Sequence, residues 1–286
     1  EATQQIARKL EADAALRKAG VIDAQADRYA KEDQRPIREH LEDWRKDLCS
    51  RGVSEKQVRT VYRRAVRVFD LAGVERLSEI TAHGVQSALG QLRETGRAAK
   101  TLNDILASVK QFCMWARRER RIPENPLDTL RGFNTAIDRR HNRRALTDEE
   151  LGRIFAAAHN GPTIRDCPGA ERALIYRLAV LTGLRANEIR TLTKSSFELD
   201  TPLPTVTVEA AFSKHRRKDV QPIPQELVPC LRDHLRPKTE EELAFRMLAN
   251  PIEGLKQDLA AAGVEYHTKE GYADFHALRH TYITRL

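Results

Sequence analysis

Two short strings hold the residues whose types and spacing suggest chemistry. His276, Arg279 and His280 lie in His-Ala-Leu-Arg-His (276–280), and Arg185 lies in Leu-Thr-Gly-Leu-Arg (181–185). Within one and a half helical turns, an arginine and two imidazoles form an oxyanion site more readily than a packing surface. Together the strings supply two guanidiniums and an imidazole, which predicts a site for a phosphodiester.

Each residue type suits one role in an in-line attack on phosphorus. Arg185 and Arg279 can hold the non-bridging oxygens, because planar guanidiniums form paired charged hydrogen bonds to them. Lys214, in the basic string Ser-Lys-His-Arg-Arg-Lys (213–218), can protonate the leaving 5′ oxygen. His276 titrates near neutrality and can exchange a proton with the attacking hydroxyl.

Two further residues are predicted to support these four. Glu188 follows Arg185 by three residues and is expected to orient or balance the arginines. His280 follows Arg279 directly and is expected to support the site residues without contacting the phosphodiester itself. The predicted site therefore consists of the catalytic residues Arg185, Lys214, His276 and Arg279, with Glu188 and His280 in support.

Other interpretations of the same residues remain open. Arg185 could cap helix carbonyls, and Lys214 could be one solvated charge of a basic hairpin, with Lys218 as its rival. His276 and His280 have the i, i+4 spacing of zinc ligands, but no third ligand stands at a suitable spacing, so no metal is predicted. The chain contains no Gly-x-x-x-x-Gly-Lys phosphate loop, which argues against ATP hydrolysis.

Composition limits the class of protein. The chain has 286 residues, 41% hydrophobic and 31% charged, which is enough for two domains with separate cores. No run approaches the roughly 18 apolar residues of a membrane span, and the N-terminus does not resemble a signal peptide. The four cysteines form no Cys-x-x-Cys pair. We expect a cytoplasmic protein with free thiols and no membrane partner.

The positive charge is concentrated in one part of the chain. Residues 35–144 carry 24 lysines and arginines against 14 acidic residues, whereas the segments on either side are each close to neutral. A basic module is what binding to the DNA backbone needs, because neutralised phosphates release counterions. A solvated helical surface rich in arginine remains the alternative.

Hydrophobic periodicity predicts a mainly α-helical chain. Residues 1–34 form a helical segment of unknown role, 35–132 a helical DNA-binding domain, 133–145 a basic linker and 146–286 a second domain that is mostly helix with a small β-sheet. Helix starts are expected at Ser54, Thr81, Thr101 and Thr147. Candidate DNA contacts are Lys100, Thr101, Lys110, Arg117, Arg118, Arg139, Arg140 and Arg143, although an ordinary solvated linker would explain the last three equally well.

In the second domain, the pattern places the chemical strings at the ends of elements. An apolar helix from Ala170 to Thr182 ends at Gly183, just before Arg185. Alternating residues from Thr205 to Val208 predict a strand, and the return through Val220 and Ile223 predicts a hairpin with Lys214 near its turn. Helical pattern resumes at Gln225–Leu235 and Ile252–Ala262.

The motifs, in this order, resemble those of the tyrosine recombinases or phage integrases. The strings around Arg185 and Arg279 are similar to the two arginine motifs of that family, and residues 213–222 are similar to its β-hairpin lysine motif. The resemblance implies the DNA breaking-rejoining fold and a 3′-phosphotyrosyl intermediate without cofactor. It also implies double-stranded DNA as the partner, enclosed by two domains, with a homotetramer on DNA and a monomer for this chain alone.

The chain departs from the family pattern at the nucleophile. The family's nucleophilic tyrosine lies a few helices beyond the second arginine motif, whereas this sequence ends at Leu286. Tyr282 follows Arg279 too closely to match and is expected to pack in the core. We therefore expect a C-terminally truncated, inactive recombinase that lacks its nucleophilic tyrosine. The alternatives are a DNA-binding regulator without catalysis and, more distantly, a type IB topoisomerase.

Overall fold

The computed structural model describes residues 4–6, 11–12, 14–16, 20, 23–213 and 216–285. The chain divides into two compact units, Glu1–Arg140 and His141–Leu286. The division falls inside the segment 133–145. Both units are mainly helical, as predicted, and the second contains the small sheet.

The first unit, from residue 23 onward, is built from helices around an apolar core. Edge-to-face contacts of Phe112 with Trp44 and Phe69, with ring centroids 5.6 and 5.3 Å apart, fix the centre of this core. Apolar residues at helical spacing line the inner faces of the four helices between residues 37 and 118. The α-helices are α1 (Ala24–Asp33), α2 (Ile37–Ser50), α3 (Glu55–Ala72), α4 (Ala82–Glu94) and α5 (Ala99–Arg118).

Two of the predicted helix starts in this unit are confirmed and one is wrong. Ser54 accepts a hydrogen bond from the Gln57 N–H, and Thr81 accepts one from Gly84. Thr101 does not cap α5, which begins at Ala99 and places Thr101 in its first turn. The Ala99 N–H donates instead to the Asp138 carboxylate at 2.7 Å, so a residue far along the chain satisfies this helix start.

Helix α1 is fastened to the rest of the first unit by polar contacts. Asp33 accepts hydrogen bonds from the Ser78 N–H and hydroxyl at 2.8 and 2.9 Å. Arg35, just after α1, contacts both Glu32 and Asp43. The second half of the predicted N-terminal segment therefore packs as a helix of this unit.

The second unit contains six α-helices and five short strands within its described residues. Its helices are α6 (Asp148–Asn160), α7 (Gly169–Thr182), α8 (Ala186–Arg190), α9 (Val228–Leu235), α10 (Pro251–Ala261) and α11 (Phe275–Thr284). Its strands are β1 (Phe197–Glu198), β2 (Thr205–Val208), β3 (Asp219–Pro222), β4 (His267–Thr268) and β5 (Gly271–Tyr272).

The predicted hairpin is present in an antiparallel sheet. The strand order is β1-β2-β3, and Thr205 pairs with Pro222 while Val208 pairs with Asp219. A separate antiparallel pair, β4 and β5, was not predicted from the sequence. Each of its strands has two residues, which is too short for an alternating pattern to show.

Helix α7 is the centre of the second unit, with α6 and α11 packed against it. It is buried on nearly all sides, which agrees with its apolar sequence. The predicted capping box at the start of α6 is confirmed, because Thr147 accepts from the Glu150 N–H and the Glu150 carboxylate accepts from the Thr147 N–H. None of the helices in the described ranges is long and apolar enough to cross a membrane.

A buried ion pair joins α7 to α10. The Arg172 and Asp258 side chains are only 2% and 4% exposed, and Arg172 donates to both Asp258 oxygens at 3.0 and 2.9 Å. Arg172 also donates to the Pro162 and Cys167 carbonyls, and the Tyr176 hydroxyl donates to Asp258 at 2.8 Å. With these partners, both charges are satisfied inside the core.

We expect Asp258→Asn to lower the free energy of unfolding by about 3–5 kcal/mol, because it leaves the buried Arg172 charge uncompensated. Urea denaturation followed by circular dichroism measures this difference. The exposed pair of Asp200 with Arg232 provides the control, and Asp200→Asn should cost less than about 1 kcal/mol. Equal small losses in both variants would show that the buried pair contributes little.

Candidate active site

The loop between α7 and α8 places Arg185 at the surface of the second unit. Gly183 ends α7 in the left-handed conformation, with φ of +66°, as its sequence position predicted. A Cβ atom at Gly183 would clash with Cδ1 of Tyr282. The glycine is therefore needed both for its backbone angle and for the close approach of the Tyr282 ring.

Arg185 is held by Glu188. The Glu188 side chain is 4% exposed and accepts from the Arg185 Nη1 at 2.6 Å. Its second oxygen accepts from the Arg185 backbone N–H at 2.8 Å, which closes the first turn of α8. This carboxylate fixes the guanidinium at the start of the helix, and no capping of helix carbonyls by Arg185 is seen among the described residues.

Helix α11 brings the second string to the same loop. Its N-cap is Asp274, whose side chain accepts from the Ala277 N–H at 2.9 Å. Five residues on from the cap, Arg279 donates from Nη1 to the Gly183 carbonyl. Arg279 therefore bonds to the loop that positions Arg185.

The environment of Arg279 contains a second positive charge. Burial lowers the pKa of Arg279, and the nearby Arg185 lowers it further, while Glu188 and Asp219 act in the opposite direction. A site that brings guanidiniums together favours an anion that neutralises both. Asp219 opens β3, so the base of the hairpin also lies within electrostatic range of Arg279.

His276 lies in the first turn of α11 and is exposed. Partial burial of its ring lowers the pKa of His276, and the positive charge of Arg143 lowers it further, against the effect of Asp274. Arg279 and Arg185 add smaller effects in the same downward direction. The imidazole is accordingly neutral at pH 7, the form that accepts a proton.

His280 is half-buried, and its Nδ1 has no hydrogen-bond partner in the described part of the chain. The predicted lysine, Lys214, lies outside the described residues. Its rival Lys218 is exposed and lies 3.7 Å from the Glu209 carboxylate. The roles of His280 and of the lysine stay predictions.

The eight candidate DNA contacts are distributed over both units. Lys100 pairs with Asp104, Arg118 with Asp47, and Arg140 with Asp138. Arg117 and Arg139 are exposed, whereas Thr101 and Lys110 are half-buried. Arg143 is the member of this set that belongs to the second unit, where it contacts Asp274.

Comparison with known proteins relates both units to the same protein family. Residues 144–286 match the model of the phage integrase family, and residues 41–120 match that of the phage integrase N-terminal SAM-like domain. The chain belongs to the phage integrase family, the tyrosine recombinases. A XerC-like tyrosine recombinase of Caldanaerobacter subterraneus subsp. tengcongensis is 24% identical over 274 residues. That alignment covers 79% of this chain and 64% of the relative, so the chain spans less than two thirds of the relative's length.

Solved integrases share the fold of this phage integrase family member. A lambda integrase tetramer bound to a Holliday junction has a TM-score of 0.68 at 19% identity, covering 98% of this chain and 81% of that chain. A Tn1549 transposon integrase in complex with transposon right end DNA has a TM-score of 0.65 at 16% identity, covering 86% of each chain. The predicted fold is thereby confirmed.

Sequence reasoning missed one residue of this candidate site, Asp274. Asp274 is a buried residue, 4% exposed. Its carboxylate contacts Arg143, His141 and the backbone at the start of α11. Burial raises the pKa of Asp274, but the hydrogen bonds from Arg143 and His141 outweigh this and leave the pKa below its usual value. An aspartate two residues before His276 is a helix-start signal that the sequence does contain.

We expect Gly183→Ala in this chain to lower the free energy of unfolding by about 2 kcal/mol or more, because the left-handed conformation and the clash with Tyr282 both oppose a Cβ. Chemical denaturation measures the loss. Gly73 is a matched control, since its φ is also +66° and a Cβ added there would meet nothing within 4 Å.

Gly73→Ala should show the conformational cost alone, about 1–2 kcal/mol. Replacing the Tyr282 ring by alanine should then recover part of the extra loss in Gly183→Ala. If both glycine variants lose the same stability, the contact with Tyr282 imposes no constraint.

Proposed function

We propose that this protein is a site-specific DNA recombinase that cuts and rejoins DNA through a 3′-phosphotyrosyl intermediate. The observation that carries the proposal is the bond from Arg279 to the Gly183 carbonyl, which brings the second arginine to the loop of the first. His276 lies on the same helix as Arg279 and within the electrostatic range of both arginines. Membership of the phage integrase family supports this reaction over other phosphodiester chemistry.

The proposed mechanism distributes charge and protons among these residues. Arg185 and Arg279 hold the non-bridging oxygens as negative charge develops on them. His276, neutral at pH 7, accepts the proton of the attacking hydroxyl, and Lys214 donates one to the leaving 5′ oxygen. The covalent phosphotyrosine keeps the bond energy, so rejoining needs no cofactor.

We further propose that none of the tyrosines of the second unit is the nucleophile. Burial and hydrogen bonding to Asp258 raise the pKa of Tyr176, which disfavours the phenolate. Tyr272 is stacked against His141 and His267, and Tyr266 packs edge-on against Tyr272. The Tyr282 ring, half-buried rather than in the core, covers Gly183. Residues 141–286 then hold no nucleophilic tyrosine, and we propose that this chain alone binds DNA without cutting it.

The proposed partner is double-stranded DNA, and we assign binding and catalysis to different domains. Residues 35–132 form the core-binding domain, 133–145 the basic linker and 146–286 the catalytic domain. The net positive charge of 35–144 supports backbone binding by the first domain and linker. The structural neighbours include an integrase tetramer on a Holliday junction, which supports a homotetramer on DNA for the whole protein. For this chain without DNA we propose a monomer. We also propose a cytoplasmic location for the protein.

We expect Arg185→Ala and Arg279→Ala to abolish strand cleavage while changing DNA affinity less than about tenfold, because they contact one phosphate whereas most of the affinity comes from the many backbone contacts of the first domain. The protein is expressed from its complete reading frame, and its target duplex is selected from genomic fragments. Covalent complexes with 5′-labelled target are counted on denaturing gels, and affinity is measured by gel shift.

Arg190→Ala is the matched control, because Arg190 lies on α8 but donates to the Leu248 and Ala249 carbonyls. It should retain cleavage, as should Tyr282→Phe. Equal loss of cleavage and binding in Arg185→Ala would contradict the catalytic assignment. Specific binding without any covalent complex in the wild-type protein would favour the alternative, a DNA-binding regulator derived from an integrase.

A further inference from the structure

Asp274 connects two segments that are far apart in the sequence. Its Oδ1 accepts from the Ala277 N–H at 2.9 Å and so begins the helix that carries His276 and Arg279. The Arg143 Nε lies 2.9 Å from both carboxylate oxygens, and the His141 Nε2 lies 2.9 Å from Oδ2. One buried carboxylate therefore joins residues 141–143 to the first turn of the arginine helix.

The backbone holds the same segment in place. The Tyr272 N–H donates to the Asn142 carbonyl at 2.8 Å, and the Arg144 N–H donates to the Tyr272 carbonyl at 3.2 Å. Gly271 permits this approach, because a Cβ there would lie 2.5 Å from the Asn142 oxygen. The Tyr272 ring is stacked between His141 and His267, with centroid distances of 4.2 and 4.1 Å. Arg143 is therefore fixed by its neighbours on both sides.

The terminal nitrogens of Arg143 are left for a ligand. Its side chain is 37% exposed, and only Nε is engaged by a hydrogen bond within the described residues. The guanidinium also lies close enough to His276 to lower the pKa of that imidazole. Among the causes of this lowered pKa, the charge of Arg143 is second only to burial. A fixed guanidinium with free terminal donors is suited to paired hydrogen bonds with a phosphate.

The arrangement repeats the one around Arg185. There, Glu188, 4% exposed, holds one side of the guanidinium at the start of α8; here, Asp274, 6% exposed at its side chain, holds Arg143 at the start of α11. In both cases a buried carboxylate orients an arginine and leaves donors free. An arginine kept only for folding would be expected to use its terminal nitrogens within the protein, as Arg172 does.

We propose that Arg143 is a third guanidinium of the scissile-phosphate site and that Asp274 is the positioning residue that holds it there. The inference rests on the proposed function. It assigns Arg143 to the reacting phosphate, whereas the sequence suggested only a general contact of the linker with the DNA backbone. The three arginines then surround one phosphate, with His276 beside them.

The first test measures the pKa of His276 by NMR titration of its imidazole in this chain. Arg143→Gln removes a positive charge near the ring, so the pKa of His276 should rise towards the usual value of about 6.5. Arg232→Gln is the control and should leave the pKa unchanged, since Arg232 is an exposed arginine of the same unit, is paired with Asp200 and is not among the charges that most affect His276. An unchanged pKa in Arg143→Gln would overturn the placement of Arg143 beside His276.

The second test titrates inorganic phosphate and follows the His276 ring signals at pH 7. Arg143→Gln should weaken phosphate binding by about tenfold, which corresponds to one charged hydrogen-bonded contact. Asp274→Asn should weaken it similarly, because asparagine still caps the helix but no longer fixes the guanidinium. The double variant should lose no more than either single variant, since both changes remove the same contact.

The outcomes separate the inference from the proposed function. Loss of phosphate binding in Arg185→Gln and Arg279→Gln but not in Arg143→Gln would overturn the inference and leave the proposed function standing. Loss in Asp274→Asn with no loss in Arg143→Gln would show that Asp274 acts only as a helix cap. No phosphate-dependent change in the wild-type chain would count against both. Thermal melts confirm that each variant is folded at the temperature used.

Discussion

Repulsion between like charges is the constraint on which the second unit depends. Arg143, Arg185 and Arg279 all lie within electrostatic range of His276, and three guanidiniums gathered around one imidazole repel one another. Each is therefore tied to an acceptor of the protein: Asp274, Glu188 and the Gly183 carbonyl respectively. Guanidiniums held together in this way favour an anion between them, which is the basis of the phosphate site proposed above.

The packed helices of the second unit place the groups that accept hydrogen bonds from these arginines. Helix α7 is buried on nearly all sides, so the loop that follows it starts from a well-packed helix end. The Arg172–Asp258 pair joins α7 to α10, and the Gly183 contact with Tyr282 joins the loop to α11. Packed elements thus hold the donors in place without a ligand, as electrostatic preorganisation requires.

Local signals in the sequence explain which parts of the fold were predictable. The capping residues Ser54, Thr81 and Thr147, and the helix end at Gly183, depend on neighbours within a few residues. The prediction for Thr101 was wrong because the Ala99 N–H is satisfied by Asp138, 39 residues away. The β4–β5 pair was missed because two-residue strands have no periodicity to detect.

The sequence by itself determined the residue types of the site, the helices that carry them and the family motifs, because each is written in a short stretch of chain. Only the tertiary structure decided which groups meet. Arg279 reaches the Gly183 carbonyl across 96 residues, and Arg143 reaches Asp274 across 131. Such contacts depend on how α7, α11 and the β5 edge pack together. Periodicity shows which face of an element is buried, but it does not show which partner covers that face.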